Sequence, residues 1–335
     1  MRAAAFYFLT ITAALQPAAR ADAAKDLDAG KITFRDLHKK HRTELLTRPA
    51  PPKPPQGELE LISYKSPAGQ LAAYISPNPG DGKKHPLIIW LIGGFSNSIS
   101  EYMWEKADPS NDQSAVQYRR AGLATMYPSL RGGNNNPGQR EGYFGEVDDV
   151  IAAAEHAAKL PWVDSSRIYL GGHSTGGTLA LLVAANSDLF RAVISIEPVH
   201  TVLAYGEENL PFNAGNRDEI VVRAPVAGLP EIKSATLVLG GDEGNVRPFE
   251  VLQKNCKNPK VQFISVPGGN HFNFLLPFNE MLAKKILADT GKECALAISK
   301  EEAKAGAARI VKPKKEKEAA AEDGKDDEEK KGKGK

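Results

Sequence analysis

The sequence predicts an α/β fold: a mostly parallel, doubly wound sheet flanked by helices. Three observations carry the prediction. Short unbroken apolar runs recur at 87–92, 123–127, 167–170, 192–196, 235–239 and 261–266, the pattern of strands covered on both faces. Helix-length stretches at 113–120, 146–160, 175–186, 249–255 and 274–288 separate most of them, and such alternation gives right-handed crossovers. The residues able to do chemistry fall just after the apolar runs, at the carboxyl ends of strands where open α/β sheets carry their sites.

The elements follow in order along the chain of 335 residues. Arg2 precedes an apolar run over 3–15, well short of the ~20 residues a bilayer-crossing helix needs. Gln16-Pro-Ala18 ends the run and Ala19-Arg-Ala21 fits a small-x-small cleavage site, so residues 1–21 read as a signal peptide of a secreted or periplasmic protein. Residues 22–56 read as a polar, proline-rich linker, because the five prolines of 48–55 can form neither a helix nor an interior strand. The runs 59–65 and 71–76 flank Pro67-Ala-Gly69 and read as two strands around a turn. The globular domain extends over 57–310, enough chain to bury a core. Residues 311–335, rich in both lysine and acids and without an aromatic, read as a disordered charged tail.

Composition narrows the partners. Forty-three basic against forty-one acidic residues leave a formal charge of +2, which asks for no nucleic acid, and no membrane-spanning segment is expected once the leader is cut. Cys256 and Cys294 are open to two readings, one disulfide or two free thiols, since a bridge depends on a Cα separation that sequence does not supply. No His/Cys/Asp cluster has metal-ligand spacing, so no metal and no cofactor is expected.

The chemistry centres on Gly172-His-Ser-Thr-Gly176, a G-x-S-x-G motif with a strand before it and a helix after it. Such a turn lifts the Ser174 hydroxyl above the sheet, while Gly172 and Gly176 remove Cβ atoms that would strike the backbone. A serine hydroxyl needs a base. His271 is the one histidine after position 200, it lies in the loop leaving the last strand, and it satisfies the order serine, acid, histidine. The acid is expected in the loop after 237–239, where Asp242 and Glu243 are adjacent; Asp242 is the first choice for its shorter side chain, with Glu243 the alternative. The oxyanion hole is expected from the amide of Thr175 together with that of Gly94 or Phe95, in the loop that opens Gly93-Gly-Phe-Ser-Asn97.

Tyr127-Pro-Ser-Leu-Arg-Gly-Gly133, Gly145-Glu-Val-Asp-Asp-Val150, Pro161-Trp-Val-Asp164 and Arg167-Ile-Tyr-Leu-Gly-Gly-His-Ser-Thr-Gly-Gly177 resemble the catalytic domain of the prolyl oligopeptidase (S9) superfamily and of the related dienelactone hydrolases and acetyl esterases. The likeness covers roughly residues 60–290. It implies the α/β-hydrolase fold with a short cap, and a serine hydrolase that cleaves an ester or amide bond through an acyl-enzyme. A peptidase or acyltransferase on the same fold, or a non-catalytic hydrolase-like binding protein, are the alternatives. The substrate implied is a small-molecule or peptide acyl compound. The sequence also departs from the family. The segment before residue 57 has no room for the oligopeptidase propeller, and Ile92-Gly93 stands where relatives often carry His-Gly. The family's Gly-x-x-Asp spacing lands on Glu243 from Gly240 and on Gly244 from Gly241. The stretch from Pro198 to Ser234 leaves room for only a short cap and hence an open pocket.

Overall fold

The computed structural model describes residues 29–31, 48–106 and 108–310. The expected signal peptide at 1–21 and the charged tail at 311–335 lie outside the described residues. By its internal contacts the chain divides at Thr47. Of the first unit only a turn at 29–31 is described, and the elements below all belong to the second.

Eight strands form one sheet: β1 Glu60–Ser66, β2 Gly69–Ile75, β3 His85–Leu91, β4 Ala124–Pro128, β5 Val163–His173, β6 Ala192–Ile196, β7 Ala235–Gly241 and β8 Val261–Val266. Their spatial order is β1-β2-β4-β3-β5-β6-β7-β8. β1 pairs antiparallel with β2 and β2 with β4, and every later pairing is parallel. The apolar runs become strands because both faces are covered. Ile89, Leu170, Val193 and Val238 enter one core and Ile88, Tyr169, Ile194 and Leu237 the other, so successive residues point to opposite sides.

The principal helices are α1 Val116–Arg120, α2 Gly145–Ala157, α3 Thr175–Asn186, α4 Arg217–Val221, α5 Pro225–Gly228, α6 Val246–Asn255, α7 Leu275–Ala288 and α8 Lys300–Ala307. α2 and α3 contribute Val150, Ala153, Leu181 and Val183 to the first core, whereas Tyr118 of α1 and Leu282 and Ile286 of α7 enter the second. α3 is apolar all round because it is buried all round.

Three details differ from the sequence reading. β5 runs seven residues further in total than 167–170, being continued by pairing of Val163 with His85 and by passage through Gly171 and Gly172. α1 begins at Val116 and not at Gln113, because Ala115 takes φ 51° and stops the helix there. α8 was not anticipated, although Ser299 and Glu302 close a reciprocal capping box at its start. The end of the proline-rich segment is docked on the domain: Pro54 is buried and Tyr74 Oη donates to the Pro52 carbonyl at 2.6 Å. Cys256 and Cys294 are free thiols.

The register places the site. His173 at the end of β5 pairs with Ile196 at the end of β6, so the next residues, Ser174 and Glu197, leave the sheet side by side. Gly241 and Val266 pair likewise at the ends of β7 and β8, bringing their loops to the same rim.

Candidate active site

Ser174 occupies the tight turn between β5 and α3 with φ 57° and ψ −118°. A non-glycine residue at positive φ is strained, and such strain clusters where a side chain must be presented. Two close approaches make the turn possible. A Cβ on Gly172 would stand 2.3 Å from the Gly176 carbonyl oxygen, and one on Gly176 would stand 2.1 Å from that of Leu91. The Ser174 amide donates to Ile196 O at 2.8 Å, anchoring the bend to the neighbouring strand.

His271 lies in the loop between β8 and α7. Its Nε2 is 3.0 Å from Ser174 Oγ, within hydrogen-bond reach for proton transfer. Paired asparagines hold this loop: Asn270 Oδ1 accepts from the amides of Phe272 and Asn273, and Asn273 Oδ1 accepts from the amide of Asn270. The sequence-predicted serine and histidine are thus brought together from 97 positions apart.

The carboxylate facing His271 is neither Asp242 nor Glu243. It is Glu197, whose Oε2 lies 3.3 Å from His271 Nδ1. Glu197 follows β6 directly, is fully buried and takes φ 54°. Its Oε1 accepts from the Gly241 amide at 2.5 Å and its Oε2 from the Asn245 amide at 2.6 Å. Asn245 is the N-cap residue of α6, so the positive end of that helix also faces the carboxylate. The Asn245 side-chain amide donates to the Glu197 carbonyl at 2.8 Å and closes the cradle.

This corrects the sequence expectation. Asp242 is exposed, and its Oδ1 accepts from the Gly268 amide at 2.7 Å, tying the base loop to the β7 loop without touching the imidazole. Glu243 is exposed, and its backbone amide donates to Gly269 O at 2.8 Å. The physical reason is depth. The loop after β7 supplies amides that surround a buried anion, while the carboxylates of Asp242 and Glu243 are exposed. A signal for Glu197 did exist: one acid ends the otherwise apolar run 192–196, and it preserves the order serine, acid, histidine.

The expected oxyanion residues also converge. Thr175 is the first residue of α3, and its Oγ1 donates to the Gly94 carbonyl at 2.7 Å, joining the two segments beside Ser174. Phe95 is 39% exposed and meets the Tyr205 ring edge-on at 5.6 Å. Arg140 fastens this loop to the cap, donating to Phe95 O at 3.0 Å and to Asn209 O at 2.8 Å. Arg223, nearly buried, secures the cap from the other side through Gly142 O at 2.7 Å and the Phe212 face at 4.0 Å. A cavity of about 60 Å³ behind the Gly94–Ser98 loop reaches Thr175 and Leu179, but Ser174 and His271 are not among its walls. The imidazole instead opens to solvent, its side chain 28% exposed. Among the described residues no three His, Cys, Asp or Glu side chains gather where a metal could sit.

Two buried groups have displaced protonation equilibria that make stability depend on pH in acid. Burial pushes His173 down to about 3, aided by the neighbouring His271. Burial lifts Asp112 to about 6, against the Asn279 side-chain amide, which favours the charged form. The signs are opposite. Between its unfolded value of about 6.5 and its folded one, His173 binds fewer protons folded than unfolded, so stability falls as pH falls through that window. Asp112 binds more protons folded, so its contribution rises as pH falls from about 6 toward its unfolded value. Asp112→Asn removes the opposing contribution, and the denaturation midpoint of that variant is expected to drop more steeply than wild type between about pH 6 and 4. Urea unfolding across that range checks it; a parallel pair of profiles would contradict it.

Residues 109–271 match the prolyl oligopeptidase family. The "alpha/beta hydrolase domain-containing protein WAV2" of Arabidopsis thaliana is 30% identical over 188 residues, covering 50% of this chain and 57% of that one. A puromycin-hydrolyzing peptidase of Mycobacterium tuberculosis superposes with a TM-score of 0.55 at 18% identity, over 69% of this chain and 39% of its own. An esterase of Pyrobaculum calidifontis superposes with a TM-score of 0.51 at 16% identity, over 70% of this chain and 86% of its own. The chain thus spans little more than half of the curated relative and well under half of the peptidase.

Proposed function

We propose that this chain, whose residues 109–271 match the prolyl oligopeptidase family, is a serine hydrolase of the α/β-hydrolase fold cleaving an ester or amide bond through an acyl-enzyme. The observation that carries the reading is the chain of contacts from Ser174 Oγ to His271 Nε2 at 3.0 Å and from His271 Nδ1 to Glu197 Oε2 at 3.3 Å.

The steps follow from these contacts. The Ser174 hydroxyl donates its proton to His271 Nε2 as Oγ attacks the substrate carbonyl carbon. Glu197 accepts from Nδ1–H, holding the tautomer whose Nε2 is free and stabilising the imidazolium that forms. The oxyanion meets the backbone amides of Thr175 and of Gly94 or Phe95. His271 returns the proton to the leaving group, and water repeats the sequence on the acyl-enzyme. No step needs a metal or an organic cofactor.

An ester is the favoured substrate. The reaction centre is open, as the 28% exposure of the His271 side chain indicates, and the cap over 198–234 is made only of short turns and helices. Export of the protein is part of the same proposal and is supported by the sequence of residues 1–21, with Arg2, the apolar run 3–15 and the Ala19-Arg-Ala21 cleavage pattern. The test uses a fluorophosphonate probe on the folded protein. It is expected to add one phosphonyl group to the peptide that carries Ser174, and p-nitrophenyl acetate is expected to turn over faster than aminoacyl p-nitroanilides. A folded protein that takes no label would sink the enzymatic reading, and faster anilide cleavage would make it a peptidase.

A further inference from the structure

His173, the residue before the nucleophile, is a buried histidine that the reaction as drawn does not use. Its Nε2 lies 2.7 Å from the backbone carbonyl of His271. A carbonyl only accepts, so the proton sits on Nε2, and Nδ1 is a bare lone pair that is buried without a partner. The ring lies 4.7 Å from the His271 ring and 5.5 Å from that of Phe272. On its other side it meets the oxyanion strand, where a Cβ on Gly93 would come within 3.2 Å of Nδ1. One side chain therefore touches the base loop and the oxyanion segment while joined covalently to the nucleophile.

We propose that His173 is a positioning residue that locks the backbone of His271 to the nucleophile turn through its Nε2–H···O=C bond, and so sets the distance across which Ser174 and His271 exchange a proton. The proposal rests on the serine-hydrolase reading above. It assigns His173 no contact with substrate. Other fastenings of the base loop reach Gly268 and Gly269, from the Asp242 carboxylate and the Glu243 amide, or run within the loop between Asn270 and Asn273. Among the described residues, the His173 bond is the one that ties the peptide of His271 itself to β5.

The chemistry of the site explains why a neutral donor is needed. His271 becomes an imidazolium during each turnover, and a second cation at 4.7 Å would oppose it. Burial keeps His173 uncharged at any working pH, since its pKa is held at about 3, and His271 is the ionisable neighbour that reinforces this. A lysine or arginine could donate the same bond but would bring the charge.

His173→Gln and His173→Phe separate the bond from the packing, because the glutamine Nε2 reaches about where the imidazole Nε2 lies while phenylalanine fills the space and donates nothing. With p-nitrophenyl acetate the Phe variant is expected to lose about ten- to a hundredfold in kcat with KM nearly unchanged, as for ångström-scale misplacement of a reacting group. The Gln variant is expected to recover most of that loss. Unchanged kcat in the Phe variant, or equal losses in both, would overturn the proposal and leave His173 a packing residue. Should the Phe variant not fold, His173→Asn, whose amide falls short of the carbonyl, replaces it with the same expectations. If wild type neither labels with fluorophosphonate nor turns over, the hydrolase reading fails separately, and the ring ¹⁵N spectra of His271 judge His173. One sharp tautomer in wild type and Gln, averaged in Phe, supports the lock; identical spectra in all three refute it.

Discussion

Ser174→Ala is expected to lower kcat by about a millionfold while the protein folds as before. The magnitude follows from non-additivity: when the nucleophile is removed, base and acid have nothing to activate, and what remains is binding and the oxyanion site. The structure argues that the loss is chemical and not conformational. Alanine adopts φ 57° at much the same cost as serine, and Gly172 and Gly176 still permit the close passages of the turn. The Ser174 side chain makes one described hydrogen bond, to His271, and the turn is otherwise held by its amide on Ile196 O. Its melting temperature should therefore stay within a few degrees of wild type. Rates with p-nitrophenyl acetate beside a thermal melt check both halves. A variant that retains more than about a hundredth of the activity would remove Ser174 from the nucleophile's role, and one that is inactive but unfolded would leave the assignment to the labelled peptide.

The sequence made the strands and the nucleophile readable because both are written locally. An unbroken apolar run such as 235–239 says where chain must be buried on two faces, and glycines two positions either side of Ser174 say where backbone must pass backbone. His271 was readable through chain order, which needs no geometry. The acid was not, because the loop after β7 has two functions that look alike in one dimension. Gly240-Gly-Asp-Glu-Gly-Asn245 is glycine-rich and acidic whether it carries a carboxylate or encloses one. Only the fold shows that Gly241 and Asn245 turn their amides onto Glu197, and that a Cβ on Gly244 would stand 2.4 Å from both of that carboxylate's oxygens. The irregular spacing that set this loop apart from the family pattern is the spacing of a cradle. His173 reads from sequence only as a packing residue of the nucleophile turn, because its contact is with a carbonyl 98 positions away, which no local pattern announces.

Glu197→Gln carries the second large effect, and it is the measurement that separates the folded arrangement from the sequence-level one. With Gln the Nδ1–H of His271 loses its anionic acceptor, the imidazole is free to take the wrong tautomer, and the imidazolium of the transition state loses its counter-charge. Loss of a triad acid by such an isosteric change typically costs about ten-thousandfold in kcat. Stability should fall as well. The carboxylate accepts from the Gly241 and Asn245 amides, one on each oxygen. A glutamine must turn its NH2 toward one of these donors, leaving that buried N–H without a partner at a cost of about 1–3 kcal/mol. Asp242→Asn keeps the oxygen that accepts from Gly268, and Glu243→Gln changes only an exposed side chain, so both should stay within about threefold of wild type. Rates and urea midpoints for the three variants decide the matter together. If Asp242→Asn or Glu243→Gln were the crippled enzyme and Glu197→Gln the active one, the carboxylate at the end of β6 would be a buried structural anion, and the base would have to turn toward the loop it now leaves behind.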